Sequence, residues 1–309
     1  MINSKTEGLI AAPMTAYHPD GSVNLDIIPS YAELLQSNGV VGVFINGTTG
    51  EGFSLTLEER KAIAGSWMKA VPGEFKAIVH VSHTCAASAG DMARHAAQIG
   101  APGIGEMGPI FYKPNSVEEL TDYAAQTAAR VPDLAYYYYH MPSMSGVCFP
   151  MLEFLKAAEP KIPKLAGIKY THEDLVDFEL CREFNGGRYD ILYGRDETLL
   201  CSLALGCRGA VGSTYNIMAP LYTRLIDAFD SGNLDEARRL QRISMKVIKL
   251  LAGTGSFNSA LKEVMNMIGL NLGGVRSPLK NIEPEKVIRL KNDLTELGFF
   301  DFCSKMPPV

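Results

Sequence analysis

A lysine closes one apolar run of the chain: Leu165-Ala166-Gly167-Ile168 leads directly into Lys169. An amine at the end of so apolar a strand is poorly solvated. Desolvation disfavours the ammonium form, lowers the amine's pKa and leaves the nucleophile that imine chemistry requires. The same position also suits a lysine that snorkels to a rim, or one paired with Glu51 or Asp196. An alternation of two places Ala135, Tyr137 and Tyr139 on one face of a strand, and Leu165, Gly167 and Lys169 on one face of the next. If both faces point inward, Tyr139 lies beside Lys169, and a phenol there shuttles protons during imine formation and C–C cleavage. Some of the run Tyr136 to Tyr139 is then β-favouring filler.

Other polar residues follow apolar runs in the same way. Asn46-Gly47-Thr48-Thr49-Gly50-Glu51 offers two hydroxyls and free amides in a glycine-flanked turn, which is a nest for a carboxylate and, equally, a common turn after a strand. Thr171 follows Lys169-Tyr170, Gly194-Arg195-Asp196-Glu197 closes another run, and Gly212-Ser213-Thr214 a third. His80, His83, His140 and His172 also lie near such ends, which raises a divalent-metal site. His80 and His83 are joined by no Asp or Glu at ligand spacing, and His140 points outward if Tyr139 points in, so these histidines are expected to be scaffold residues and no metal is expected.

The elements that carry these residues alternate regularly. Candidate strands run over Leu9 to Ala12, Val40 to Ile45, Lys76 to Val81, Gly103 to Met107, Leu134 to Tyr139, Leu165 to Tyr170, Tyr189 to Tyr193 and Gly209 to Gly212. Eight strands alternating with helical stretches predict an α/β fold, a (β/α)8 TIM barrel, in which functional residues gather where strands end. A doubly wound open sheet is the alternative, but no G-x-G-x-x-G follows the first strand. Thr56-Leu57-Glu58-Glu59 reads as a capping box opening a helix towards Ala70, and Ser116-Val117-Glu118-Glu119 repeats it. Gly39, Gly100 and Gly206 are placed to stop helices in the left-handed conformation. After Ser231 the rhythm changes, and Leu234 to Gly253, Ser256 to Ile268 and Glu283 to Leu297 read as helices without strands. A barrel over residues 1–231 with an α-helical extension over 232–309 packed on it is therefore expected.

Composition fits a soluble globular chain with ample apolar material for a sizeable core. The 309 residues are 47% hydrophobic and 20% charged, with 29 basic against 34 acidic side chains and a net charge of −5. No basic stripe for nucleic acid is evident, and no apolar run approaches the roughly 18 residues of a bilayer helix. The start, Met1 to Glu7, carries no apolar leader segment, so a cytoplasmic chain is expected. Cys85, Cys148, Cys181, Cys201, Cys207 and Cys303 form no C-x-x-C pair and are expected to be reduced and buried.

Together these segments resemble the pyruvate-dependent class I aldolases of the family that contains N-acetylneuraminate lyase and dihydrodipicolinate synthase. The likeness covers nearly the whole chain and rests on G-T-T-G-E at 47–51, Y-x-x-P-x-x-S-G from Tyr139 to Gly146, G-I-K at 167–169 and G-S-T-Y-N at 212–216. Three departures from the synthase branch favour the sialic-acid-cleaving branch. Met144 stands where synthases carry an arginine for a second substrate carboxylate, and an apolar side chain cannot form that pair. Phe111 stands where synthases carry a proton-relay tyrosine, unless the alignment slips onto Tyr112. Asp196-Glu197 matches the lyase pattern of adjacent carboxylates, which suits a polyol chain better than a dicarboxylate.

The resemblance implies that Lys169 forms an imine with the ketone carbon of sialic acid and that Tyr139 is the acid/base. It implies that Thr48 and Thr49 hold the carboxylate and that Thr171, Gly194, Asp196, Glu197 and Ser213 contact sugar hydroxyls. The products would be pyruvate and N-acetylmannosamine. No cofactor is called for, because the protonated imine is the electron sink. A homotetramer is implied, and small molecules are the only other partners expected. Another pyruvate or 2-keto-3-deoxy sugar acid aldolase or dehydratase, a synthase-like enzyme, and a non-catalytic keto-acid sensor are the competing readings.

Overall fold

The computed structural model describes residues 5–307, so the leader reading at Met1 to Ser4 lies outside the described residues. Eight parallel strands close into a barrel in sequence order. They are β1 (Gly8–Ala11), β2 (Val40–Ile45), β3 (Lys76–His80), β4 (Gly103–Met107), β5 (Ala135–His140), β6 (Leu165–Tyr170), β7 (Asp190–Tyr193) and β8 (Gly209–Gly212). The helices are α1 (Ile28–Ser37), α2 (Leu57–Ala70), α3 (Ala86–Gln98), α4 (Val117–Ala128), α5 (Pro142–Ser145), α6 (Met151–Ala158), α7 (Leu175–Gly187), α8 (Leu199–Ala204) and α9 (Tyr215–Asp230), then α10 (Leu234–Gly253), α11 (Phe257–Met267) and α12 (Pro284–Glu296). The chain is thus a (β/α)8 TIM barrel followed by further helices. Among the described residues no helix is long and apolar enough to cross a membrane.

Alternation along the strands separates two apolar clusters. Ile10, Phe44, Ile78, Met107, Ala135, Tyr137, Tyr139, Leu192 and Val211 fill the barrel interior, while Tyr136, Tyr138, Ile168 and Tyr170 join the layer between strands and helices. Tyr139 pairs in register with Lys169, which makes them neighbours as the alternation predicts. Leu165 corrects that pattern. The register shifts between Tyr136 and Tyr137, pairing them with Leu165 and Gly167, so Ala166 is an extra residue and Leu165 packs outside with Tyr136. Only Gly167 and Lys169 keep the inward face.

Helix ends follow local chemistry. Thr56 accepts from the Glu59 amide while the Glu59 carboxylate accepts from the Thr56 amide at 2.8 Å, a complete capping box. At Ser116 only half of the device forms, because the Glu119 carboxylate accepts from the Asn115 amide at 2.7 Å instead. Gly39, Gly100 and Gly206 take φ of +81°, +76° and +79°, which only glycine adopts without strain. All six cysteines are free, and the burial expected for them holds for Cys181, Cys207 and Cys303 only. Cys85 and Cys148 sit in loops, and Cys201 lies on the face of α8 opposite buried Leu199, Ser202 and Leu203.

The amino-terminal end of the barrel is sealed by one carboxylate. Asp190 accepts from the Thr6 amide at 3.0 Å, the Thr6 hydroxyl at 2.7 Å, the Tyr137 hydroxyl at 3.0 Å and Lys76 Nζ at 2.6 Å. Truncation to alanine strands a half-buried ammonium and a buried phenol together. Asp190→Ala is expected to lose about 3–5 kcal/mol of stability by urea titration. Because this cluster lies at the end of the barrel opposite the functional one, kcat per folded molecule should stay near wild type.

Candidate active site

Lys169 is the penultimate residue of β6, with only 4% of its surface exposed. Its Nζ lies 3.9 Å from the centroid of the Phe44 ring and 4.0 Å from that of Tyr139, between two aromatic faces. Burial lowers its pKa from an ordinary 10.5 to about 7, opposed in part by the charge of Asp196. Neither carboxylate considered as a partner takes it. Glu51 is paired with Lys262 Nζ at 2.7 Å, and Asp196 accepts from the Thr214 amide and hydroxyl at 2.7 and 2.6 Å. The snorkelling and ion-pair readings of Lys169 are therefore set aside: the amine is buried and without a salt bridge, and desolvation favours its neutral form.

Tyr139 is the next side chain. Its hydroxyl lies 3.2 Å from Thr48 Oγ1 and donates to the Met141 thioether at 2.9 Å. Burial pushes its pKa up to about 12, and the Thr48 contact moderates the rise. His80 points into the barrel, edge-on to Tyr139 at 5.7 Å, with Nδ1 2.9 Å from the Asn46 carbonyl. Burial and the nearby Arg60 push its pKa down to about 3, so it is a neutral wall of the site. His140 faces outward against Tyr170 and His172, as the alternation requires. Among the described residues no three His, Cys, Asp or Glu side chains are grouped to hold a metal ion.

The β2 loop covers the opposite wall. Asn46 and Glu51 bracket it with φ of +60° and +55°, and the Glu51 and Gly52 amides donate back to Thr48 and Gly47 carbonyls at 3.0 and 3.1 Å. Thr49 Oγ1 lies 2.7 Å from Ser213 Oγ, so the loops after β2 and β8 meet. The Thr48 and Thr49 amides have no protein acceptor among the described residues. Thr48, Tyr139 and Lys169 form one contiguous group, and Thr49 with Ser213 another beside it.

The remaining candidates ring the same end less tightly. Gly194 lies flat against Thr171: a Cβ there would come within 2.0 Å of Thr171 Oγ1, so no other residue fits. Asp196 is buried and spends one oxygen on Thr214, leaving Oδ1 beside Gly212. Glu197 stands apart, paired with Arg195 at 2.8 Å, and Arg195 also reaches Glu173 at 2.5 Å. Met144 on α5 is 57% exposed, and Phe111 and Tyr112 stack edge to face on the exposed β4–α4 loop.

Several contributors have no sequence signal of their own. Phe44 is one apolar residue among six in β2, and Met141 reads as a spacer between His140 and Pro142. Gln241 on α10 donates to the Asp196 carbonyl at 3.1 Å and accepts from the Leu200 amide at 2.8 Å. Lys262 on α11 holds Glu51. These last two sit dozens to hundreds of residues from their partners, beyond any local pattern.

The chain matches the Dihydrodipicolinate synthetase family over residues 5–297. It is 40% identical over 279 residues to the N-acetylneuraminate lyase of Danio rerio, covering 89% of this chain and 91% of that protein. The solved structure of Proteus mirabilis N-acetylneuraminate lyase superposes with a TM-score of 0.93 at 37% identity, covering 96% of this chain and all (100%) of that one. A catalytic lysine mutant of Ruminococcus gnavus sialic acid aldolase superposes at 0.88 with 25% identity, over 96% and 97% of the two chains. The chain therefore belongs to the dihydrodipicolinate synthetase family and is an enzyme of the carbon–carbon lyase type that these relatives represent.

Proposed function

We propose that the protein cleaves N-acetylneuraminate to pyruvate and N-acetylmannosamine through an imine on Lys169. The observation that carries this reading is the buried Nζ of Lys169, in no salt bridge and 4.0 Å from the centroid of the Tyr139 ring. The names of the relatives support the substrate, and the described lysine mutant of one of them supports a lysine-dependent reaction.

In this reading the amides and hydroxyls of Thr48 and Thr49 hold the substrate carboxylate. The neutral Lys169 amine adds to the open-chain ketone carbon, giving a carbinolamine. Tyr139 then protonates the departing hydroxyl, which leaves as water and creates a protonated imine and a phenolate. The phenolate, with a conjugate acid near 12, takes the proton from the C4 hydroxyl. The C3–C4 bond breaks, its electrons move into an enamine, and the sugar aldehyde leaves. Tyr139 next protonates the enamine carbon, and its phenolate takes a proton from the water that adds to the imine. Collapse of that carbinolamine frees pyruvate and restores both the amine and the phenol. Thr171, Gly194, Asp196, Glu197 and Ser213 line the path of the sugar hydroxyls, with Asp196 Oδ1 open to accept one.

Borohydride reduction in the presence of N-acetylneuraminate, followed by intact mass and peptide mapping, tests the reading. A pyruvyl-sized adduct confined to Lys169 is expected, identical to that formed with pyruvate alone. An adduct with pyruvate but none with N-acetylneuraminate moves the substrate to another keto acid. No adduct with either overturns the imine and leaves the keto-acid sensor.

A further inference from the structure

Helix α11 reaches across the barrel mouth to the β2 loop. Lys262 Nζ donates to Glu51 Oε1 at 2.7 Å and to the Gly274 carbonyl at 2.6 Å, and it lies 4.3 Å from the centroid of the Tyr17 ring. The other oxygen, Glu51 Oε2, accepts from the Arg276 amide at 3.0 Å. The Arg276 guanidinium is itself fixed, forked onto Glu59 at 2.6 and 2.8 Å and onto the Gly21 carbonyl at 2.7 Å. Both side chains of the Lys262–Glu51 pair are only 1% exposed. A buried ion pair of this kind contributes little net stability against an apolar pair, so its use lies in fixing a geometry.

The geometry it fixes is that of the Thr48–Thr49 turn. Glu51 takes φ of +55°, a conformation that costs a side chain about 1 kcal/mol or more unless its surroundings impose it. In that conformation its amide donates to the Thr48 carbonyl at 3.0 Å and closes the turn, which leaves the Thr48 and Thr49 amides free at the barrel mouth. The Thr15 hydroxyl catches the Gly50 carbonyl at 2.6 Å from the other side. Every link from α11 to the turn is a direct contact.

We infer that Lys262 is a positioning residue, which sets the carboxylate-holding turn through Glu51 and makes the helices after the barrel part of the substrate site. The inference rests on the reading of Thr48 and Thr49 as the carboxylate subsite. It predicts a defect in holding a carboxylate and none in the reactivity of Lys169 itself.

The test uses the full chain carrying Lys262→Met, with Glu51→Gln/Lys262→Met as a second variant that leaves no unpaired buried charge and so guards against a folding failure. Reductive trapping at Lys169 is followed against the concentration of pyruvate and, separately, of acetone, a ketone without a carboxylate. Half-saturating pyruvate and KM for N-acetylneuraminate should rise about 10- to 100-fold in both variants, kcat should change less than about threefold, and trapping by acetone should match wild type. Wild-type pyruvate dependence in either folded variant overturns the inference, as does an equal loss with both ketones, which marks a general structural role. Wild-type protein that traps no pyruvate overturns the imine reading instead, so the two failures are distinct.

Discussion

Lys169→Met should lose its activity and gain stability at the same time. Removal of the amine that forms the covalent intermediate is expected to lower kcat/KM for N-acetylneuraminate by at least about 10⁴-fold, since nothing else in the site replaces the nucleophile. The folding consequence has the opposite sign. Folded Lys169 releases its proton near pH 7, whereas the unfolded chain holds it to about 10.5. Between those values the unfolded state binds more protons, so wild-type stability rises with pH from 7 towards 10.5. Below pH 7 the whole cost of burying the ammonium remains, on the order of 5 kcal/mol. Methionine has a similar length and no charge, so the variant should unfold at higher urea than wild type at pH 6. That gap should narrow as the pH approaches 10. The activity profile follows the same ionisation, with wild-type turnover climbing as pH passes through 7. Urea midpoints at pH 6 and pH 9.5 with a paired activity assay decide the matter: a variant less stable than wild type at pH 6 contradicts a desolvated amine.

The barrel was legible because its signals are local. Each strand is a short apolar run bounded by turn residues, and the glycines before β2, β4 and β8 end the preceding helices in the conformation that their position suggests. Lys169 and Tyr139 were legible for the same reason, since an alternation of two fixes which residues of neighbouring strands face each other. The misreadings mark where that rule meets tertiary structure. A single extra residue at Ala166 turned Leu165 to the other face, and nothing in Leu-Ala-Gly-Ile distinguishes a bulge from a regular strand. Cys201 looked buried because its neighbours are apolar, yet the one-sided packing of a helix as short as α8 leaves it facing water.

What the sequence did not disclose is how the site is supported. Glu51 looked like a partner for Lys169 because both lie near strand ends, and its actual partner Lys262 lies 211 residues away on a helix outside the repeating pattern. Phe44 faces Lys169 because β2 places it inward, and its two glycine neighbours make room: a Cβ on Gly47 or Gly105 would come within 2.9 or 2.7 Å of its ring. Only the closed barrel brings residues 44, 47 and 105 together. Chemistry-bearing side chains announce themselves by type, whereas the residues that hold them are ordinary in type and are recognised by contact alone.

Tyr139→Phe separates these two contributions, because it deletes the hydroxyl and leaves the ring. The phenyl face stays 4.0 Å from Lys169 Nζ, so the amine keeps its apolar surroundings and its lowered pKa. Lost are the contacts of the hydroxyl to Thr48 at 3.2 Å and Met141 at 2.9 Å, whose removal should cost no more than about 1 kcal/mol of stability. The rate should fall much further, by about 10²- to 10⁴-fold in kcat, as general acid–base contributions do. The steps should suffer unequally. Imine formation with pyruvate can draw a proton from water and should persist at a reduced rate, visible by borohydride trapping at Lys169. Cleavage of the C3–C4 bond needs a strong base at the C4 hydroxyl, and with the phenol gone water must serve. The variant should therefore accumulate the substrate imine, and reduction during turnover should yield an adduct of the intact sugar acid on Lys169 in place of the pyruvyl adduct. Turnover within threefold of wild type, or a pyruvyl adduct as the sole product, would assign the proton transfer to another group.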